Sequence, residues 1–143
     1  MVQDLDKKLD EKLMQEMNSG YEKVSAGDYE GAEKHYLNAW EIFPEPKYAW
    51  DSSQITLYDI AAFYLKWGKF DKALAWANLV FKTAVSPRDG TPYLTIGIIY
   101  FESNDLDKAF DYFKKTFEVS KQRGFQGSDK KYLEFYLKRA AQK

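Results

Sequence analysis

Apolar residues along the chain recur at intervals of three and four, a spacing that places them on one face of an α-helix. Phe110, Phe113 and Phe117 form one such series. No stretch alternates apolar and polar residues in the manner of a half-buried strand. The pattern therefore predicts helices alone, over about residues 3–25, 29–43, 46–67, 70–85, 91–103, 106–122 and 129–142.

A short motif occurs three times. It consists of a turn residue, a polar residue, a large apolar residue, two mainly polar positions and an alanine. The copies are Gly27-Asp28-Tyr29-Glu30-Gly31-Ala32, Gly68-Lys69-Phe70-Asp71-Lys72-Ala73 and Asn104-Asp105-Leu106-Asp107-Lys108-Ala109. Glycine or asparagine at the first position suits a residue that ends a helix in the left-handed conformation. Alanine at the last position suits a close crossing of two helices.

The residues before and after these turns also repeat. Two turns are preceded by matching runs, Leu57-x-x-Ile60-Ala61-x-x-Tyr64 and Tyr93-x-x-Ile96-Gly97-x-x-Tyr100. The pattern resembles the tetratricopeptide repeat, whose signature joins such a run to a later alanine, an aromatic residue and a proline. The first copy keeps the proline, Pro44, but its opening half departs from the pattern at Glu16, Ser19, Gly20 and Lys23.

The resemblance implies an all-α fold, a right-handed α-solenoid of about three helix pairs that forms one domain over the whole chain. The repeats would span about residues 13–46, 54–87 and 90–121, and a capping helix would follow at about 129–142. The interval from Ala32 to Ala73 exceeds the usual period of about 34 by roughly seven residues. We therefore expect Pro46 to open a helix that is two turns longer than usual and runs to Trp67.

Composition excludes several classes of function. The chain has 21 Lys and Arg against 22 Asp and Glu, a net charge of -1, so it lacks the basic character of proteins that bind nucleic acids or anionic membranes. It has no cysteine and a single histidine, His35, which argues against thiol chemistry and a histidine-rich metal site. Phosphate-loop and hydrolase motifs are absent. We predict a protein that is not an enzyme and has no cofactor.

The chain also shows no targeting or membrane signal. Its first eight residues contain no apolar leader region. No stretch approaches the run of about 18 apolar residues that a membrane helix needs. These observations predict a cytoplasmic protein.

The resemblance further implies a concave groove, lined by the first helix of each pair, that binds a partner protein or peptide. The residues predicted to line it are Met17, Tyr21, Tyr58, Ala62, Leu65, Lys66, Leu94, Ile98 and Phe101. Ile55 and Asp59 share the helix face of Tyr58. Chaperone-binding members of the family hold an acidic C-terminal peptide with Lys, Asn and Arg. Here those positions hold Met17, Tyr21, Asp59, Thr91 and Thr95, so that kind of ligand is not expected.

Two further surfaces are candidates. Tyr48 and Trp50 either project from the lengthened helix as a contact surface or pack against Trp40 and Phe43. Tyr132 and Tyr136 either cap the third repeat or fold back across the groove. We leave these alternatives open at the level of sequence.

The function predicted from these observations is non-enzymatic protein binding through an apolar and aromatic groove. The family resemblance admits an immunity protein that masks a toxin, a chaperone or an adaptor. The alternative is a structural homo-oligomer, such as a homodimer, that uses the groove or the C-terminal helix for self-association.

Overall fold

A computed structural model describes residues 2–142 of the chain. These residues form seven α-helices, which we number α1 (Lys7–Ser25), α2 (Tyr29–Ile42), α3 (Ser53–Trp67), α4 (Phe70–Leu79), α5 (Thr91–Glu102), α6 (Leu106–Ser120) and α7 (Lys130–Ala141). Short 3-10 turns occupy Lys47–Ala49, Val80–Lys82 and Lys121–Phe125. The architecture is all-α, as predicted.

The helices belong to two compact units. The N-terminal unit comprises the described residues up to Ile60 together with Lys82–Ala84, and the C-terminal unit comprises Ala61–Phe81 and the residues from Val85 onward. Helix α3 begins in the first unit and ends in the second.

The N-terminal unit is built around the α1–α2 pair. The turn between the helices passes through Gly27, whose φ of 80° is accessible to glycine, and the Asp28 side chain caps α2 by accepting a hydrogen bond from the Gly31 N–H at 2.9 Å. The helices approach closely where Gly20 meets the ring of Tyr36. A Cβ atom on Gly20 would lie 3.0 Å from that ring, so the missing side chain lets the two helices pack.

The C-terminal unit repeats this arrangement in the α5–α6 pair. Asn104 turns the chain with a φ of 68°, and the Asp105 carboxylate caps α6 by accepting from the Lys108 N–H at 3.2 Å. A Cβ atom on Gly97 would lie only 2.6 Å from the Phe113 ring. Phe113 is fully buried, and the contact therefore fixes how closely α5 and α6 approach.

The structure confirms the repeated motif. The turn residues Gly27, Gly68 and Asn104 all have positive φ. The three alanines, Ala32, Ala73 and Ala109, are each 0 % exposed, as expected of residues at close helix crossings.

The prediction of a lengthened helix over residues 46–67 is wrong. Residues 47–49 form a 3-10 turn, Trp50 is extended, and α3 begins at Ser53. The backbone of this segment bonds elsewhere, because the Gln3 N–H donates to the Ala49 carbonyl at 3.1 Å and the Asp51 N–H donates to the Gln3 carbonyl at 2.7 Å. A helix through these residues would need the same groups for its own hydrogen bonds.

The same pairing corrects the start of the first helix. The prediction of a helix over residues 3–25 is wrong for residues 3–6, since α1 begins at Lys7. Gln3 instead forms a parallel bridge with Trp50, and Leu5 is buried. Helix α4 also ends earlier than predicted, at Leu79, and α6 ends at Ser120, each passing into a 3-10 turn.

Candidate protein-binding surface

Helix α1 presents a stripe of exposed apolar side chains. Met14, Met17 and Tyr21 are spaced by three and four residues and therefore share one face of the helix. Met14 is 52 % exposed and Tyr21 is 68 % exposed, while Met17 is half-buried. Single exposed apolar residues are common on protein surfaces, but a stripe of them is not.

The first half of α3 presents a second stripe in the same unit. Ile55, Tyr58 and Asp59 lie three and four residues apart on one helix face. Ile55 is 58 % exposed, Tyr58 is half-buried, and Asp59 is exposed. We call the five apolar residues Met14, Met17, Tyr21, Ile55 and Tyr58 the apolar face.

Tyr36 of α2 links the two stripes. Burial raises the pKa of the Tyr36 hydroxyl, and the nearby Asp59 carboxylate and Tyr21 hydroxyl raise that pKa further. Such electrostatic effects require proximity, so the Tyr36 hydroxyl lies near Tyr21 of α1 and Asp59 of α3. Each stripe therefore has a residue near Tyr36, and we treat the two stripes as one candidate surface.

The predicted groove residues in the C-terminal unit have different surroundings. Ala62 and Lys66 are exposed, and Leu65, Ile98 and Phe101 are half-buried. Leu94 is only 8 % exposed and lies in the hydrophobic core of this unit, against which Ile98 and Phe101 also pack. Leu94 is therefore a core residue and not part of an open groove.

Helix α7 covers Phe101. The Phe101 ring contacts the rings of Tyr132 and Phe135 edge-on, both with centroids 5.2 Å away. The Tyr132 hydroxyl donates a hydrogen bond of 2.8 Å to Glu102, and Lys131 forms an ion pair with the same carboxylate at 3.1 Å. These contacts hold the start of α7 against the end of α5.

The remaining contacts of α7 complete its attachment. Arg139 donates to the Leu106 carbonyl at 2.8 Å and pairs with Asp107. The Tyr136 ring stacks on Phe110 with centroids 5.4 Å apart. Tyr132 and Tyr136 are each 8 % exposed, so little of either side chain is accessible to a partner, and their packing corresponds to the capping alternative. They cap the unit because α7 packs its aromatic face onto α6.

Tyr48 and Trp50 do not project from a helix. The Tyr48 ring lies 5.5 Å from the Trp40 ring, and the Trp50 indole N–H donates to the Pro44 carbonyl at 2.9 Å. Lys47 fastens the same segment to α2, since its Nζ donates to the carbonyls of Trp40 and Phe43 at 2.9 and 3.1 Å. Both aromatic side chains are half-buried, and the packing alternative is correct for Tyr48.

His35 has a structural environment. Its Nδ1 lies 2.8 Å from a Glu16 carboxylate oxygen, a contact that links α2 to α1. Both side chains are about one-third exposed, at 31 % and 29 %. Among residues 2–142 no group of three or more His, Asp or Glu side chains is placed to hold a metal ion. Within the same residues no helix combines the length and apolar character needed to cross a membrane.

Sequence reasoning missed Met14. It lies where the first repeat departs from the family pattern, and motif alignment gave no reason to examine it. The signal was nevertheless present, because Met14 stands three residues before Met17 and seven before Tyr21.

The paired helices, glycine or asparagine turns and alanine crossings define a helical-repeat protein. The family model for the tetratricopeptide repeat matches residues 91–123, a segment that contains α5 and α6. This match supports the family resemblance seen in the sequence.

A solved structure extends the fold comparison to most of the chain. The N-terminal domain of stress-induced protein-1 (STI-1) from C. elegans aligns with a TM-score of 0.66 at 20 % identity, covering 92 % of this chain and 98 % of that one. At this identity the likeness concerns the fold alone. No curated protein matches the sequence significantly.

Proposed function

We propose that this protein binds another protein through the apolar face of its N-terminal unit. Tetratricopeptide repeats serve generally as non-enzymatic protein-interaction modules, which supports the class of function. The observation that carries the location is the exposure of Met14, Tyr21 and Ile55, each more than half accessible. Large apolar side chains grouped on a surface are typical of an interaction site.

The composition of the apolar face fits a protein ligand. Tyrosine and methionine are enriched in protein interfaces. The two methionines are flexible and adapt to partner side chains of different shapes, while Tyr21 offers a large area with few rotatable bonds. A helix or an extended segment with apolar side chains on one side would bury these residues and remove them from water.

The C-terminal unit has a smaller part in this proposal. Within that unit, Ala62, Leu65 and Lys66 of α3 stay proposed as residues that contact a partner, because they are exposed or half-buried. Ile98 and Phe101 pack against the core of their own unit, so we assign them to stability.

The three roles considered from the sequence, an immunity protein, a chaperone and an adaptor, differ in the kind of partner that is bound. An immunity protein would cover the active site of a toxin, whereas a chaperone or adaptor would hold a segment of a client. All of them require the apolar face to contact another protein in the cytoplasm. The runner-up, self-association as a homodimer, would bury the same face against a second copy.

The test compares variants of the apolar face with a matched control. Tagged wild-type protein, Tyr21→Ala, Ile55→Ala and Leu37→Ala are used to capture partners from the native host, and the captured proteins are quantified by mass spectrometry. Leu37 is 38 % exposed on α2 and controls for the loss of a surface apolar side chain. A partner of the apolar face should be depleted at least about tenfold by the first two changes, which corresponds to about 1.4 kcal/mol, and retained by Leu37→Ala.

Equal retention by all variants would contradict the proposal. Light scattering of the purified protein over a range of concentrations tests the runner-up. A dimer that Tyr21→Ala dissociates would replace the partner proposal by self-association.

A further inference from the structure

The two units differ in charge, although the chain as a whole is nearly neutral. The N-terminal unit carries 13 Asp and Glu side chains against 7 Lys and no Arg. The rest of the chain carries 14 Lys and Arg against 9 Asp and Glu. The apolar face therefore lies in the acidic unit.

Acidic side chains also lie beside the residues of the apolar face. Asp59 follows Tyr58 on α3 and is exposed. Within residues 2–142 no Lys, Arg or His side chain forms an ion pair with it. On α1, Asp10 lies one turn before Met14 on the same helix face. Lys7 lies one turn before Asp10.

The surroundings of Asp59 favour a positive neighbour. Burial by neighbouring residues of the same chain raises the pKa of the Asp59 carboxyl group, even though part of the side chain remains exposed. A carboxylate that has lost part of its hydration without gaining a cation is stabilised when a partner brings one. A negatively charged ligand would instead meet repulsion at this position.

We propose that the segment bound by the apolar face is cationic and amphipathic. This inference rests on the proposed function and adds the chemistry of the partner. The apolar side chains of the segment contact Met14, Tyr21 and Ile55, and a Lys or Arg side chain at its edge pairs with Asp59. The excess of acidic residues in the unit attracts such a segment from a distance.

The test uses two synthetic helical peptides of about 18 residues, labelled with fluorescein. Both carry leucine on the apolar side; one has lysine and the other glutamate at every polar position. Fluorescence anisotropy measures their dissociation constants for wild-type protein. We expect the lysine peptide to bind at least tenfold more tightly, and its affinity to fall as the salt concentration rises from about 50 to 300 mM.

Variants of the protein distinguish a specific ion pair between the peptide and Asp59 from general electrostatic attraction of the peptide by the acidic unit. Asp59→Asn should weaken the lysine peptide about fivefold, in line with a partly exposed charge-assisted contact of about 1 kcal/mol. The control is Glu30→Gln, which removes the same charge from the exposed side of α2, away from the buried Ala32. It should change the affinity less than twofold. Tyr21→Ala should weaken binding about tenfold.

Each contrary result has a defined meaning. Equal binding of both peptides, lost in Tyr21→Ala, would overturn the cationic preference and leave the proposed function intact. Equal weakening by Asp59→Asn and Glu30→Gln, with no effect of Tyr21→Ala, would show unspecific charge attraction and overturn the inference. Failure of both peptides to bind would overturn it as well, while the capture experiment tests the proposed function separately. A dimer of the protein that Asp59→Asn dissociates would make a second copy the occupant.

Discussion

Helices α1 and α5 each open a helix pair, yet their outward faces differ. On α1, Met14 and Tyr21 are 52 % and 68 % exposed. On α5, Leu94 is 8 % exposed, and Phe101 contacts Tyr132 and Phe135 of α7. The two helices have similar spacing of apolar residues, but one face is accessible to a partner and the other is part of a core.

The difference lies in whether the chain provides a covering helix. The C-terminal unit has α7, which brings an aromatic side to α5 and α6 and is fixed by Tyr132, Lys131 and Arg139. The exposures of Met14 and Tyr21 show that nothing among residues 2–142 covers the α1 face to the same extent. In a helical-repeat protein, an apolar stripe is core where the next element packs on it and a binding surface where none does.

The largest loss of stability is expected at the helix crossings, where each unit has a fully buried alanine. Ala109→Glu should reduce the free energy of unfolding by more than about 3 kcal/mol, because a charge would be forced into a fully buried helix crossing. Thermal unfolding followed by circular dichroism measures the change. Ala62→Glu, at an exposed site on α3, is the matched control and should melt close to wild type. Normal melting of Ala109→Glu would contradict the packing of the repeats.

The second prediction contrasts the two outward faces directly. Phe101→Ala should cost about 2–4 kcal/mol, since it removes a ring packed between α5 and α7. Tyr21→Ala should stay within about 0.5 kcal/mol of wild type, because the side chain is mostly in water. Urea unfolding gives both values. Equal losses for the two variants would erase the distinction between a core face and a binding face.

The third prediction concerns the closeness of each helix pair. Gly97→Ala should destabilise by about 1–3 kcal/mol, because the new methyl group would lie 2.6 Å from the Phe113 ring. Gly20→Ala meets the Tyr36 ring at 3.0 Å, and the higher helix propensity of alanine offsets part of the strain. The free energy of unfolding of the Gly97→Ala variant, measured by chemical denaturation, should therefore be well below that of the Gly20→Ala variant. The reverse order would mean that the α1–α2 crossing is the tighter one.

The smallest predicted effect depends on pH. Burial, the hydrogen bond to Glu102 and nearby carboxylates raise the pKa of Tyr132 above its usual 10.0. A raised pKa in the folded state means that the stability contributed by the neutral hydroxyl is complete below the unfolded pKa and is lost as pH rises above it. Between about pH 9 and 11, wild type should lose more stability than Tyr132→Phe, which has no hydroxyl to ionise. Parallel pH profiles would contradict the partly buried hydrogen bond to Glu102.

Much of the fold could be predicted because its signals are local. A turn residue with positive φ, a capping aspartate and an alanine at a crossing follow from a few consecutive positions, as at Gly27, Asp28 and Ala32. The segment around Pro46 could not be predicted, since its backbone bonds to Gln3, more than forty residues away. The candidate surface was predicted only in part. Spacing identified Met17, Tyr21 and Tyr58 as sharing outward faces, but it could not reveal that α7 covers Phe101 or that Leu94 lies in the core.

The most direct test of the central claim is amide hydrogen exchange of this protein with and without its captured partner. We expect partner binding to slow amide exchange in α1 around Met14 to Tyr21 and at the start of α3, and to leave exchange in α7 unchanged. Protection confined to α5 and α7, with α1 exchanging as in the free protein, would contradict it.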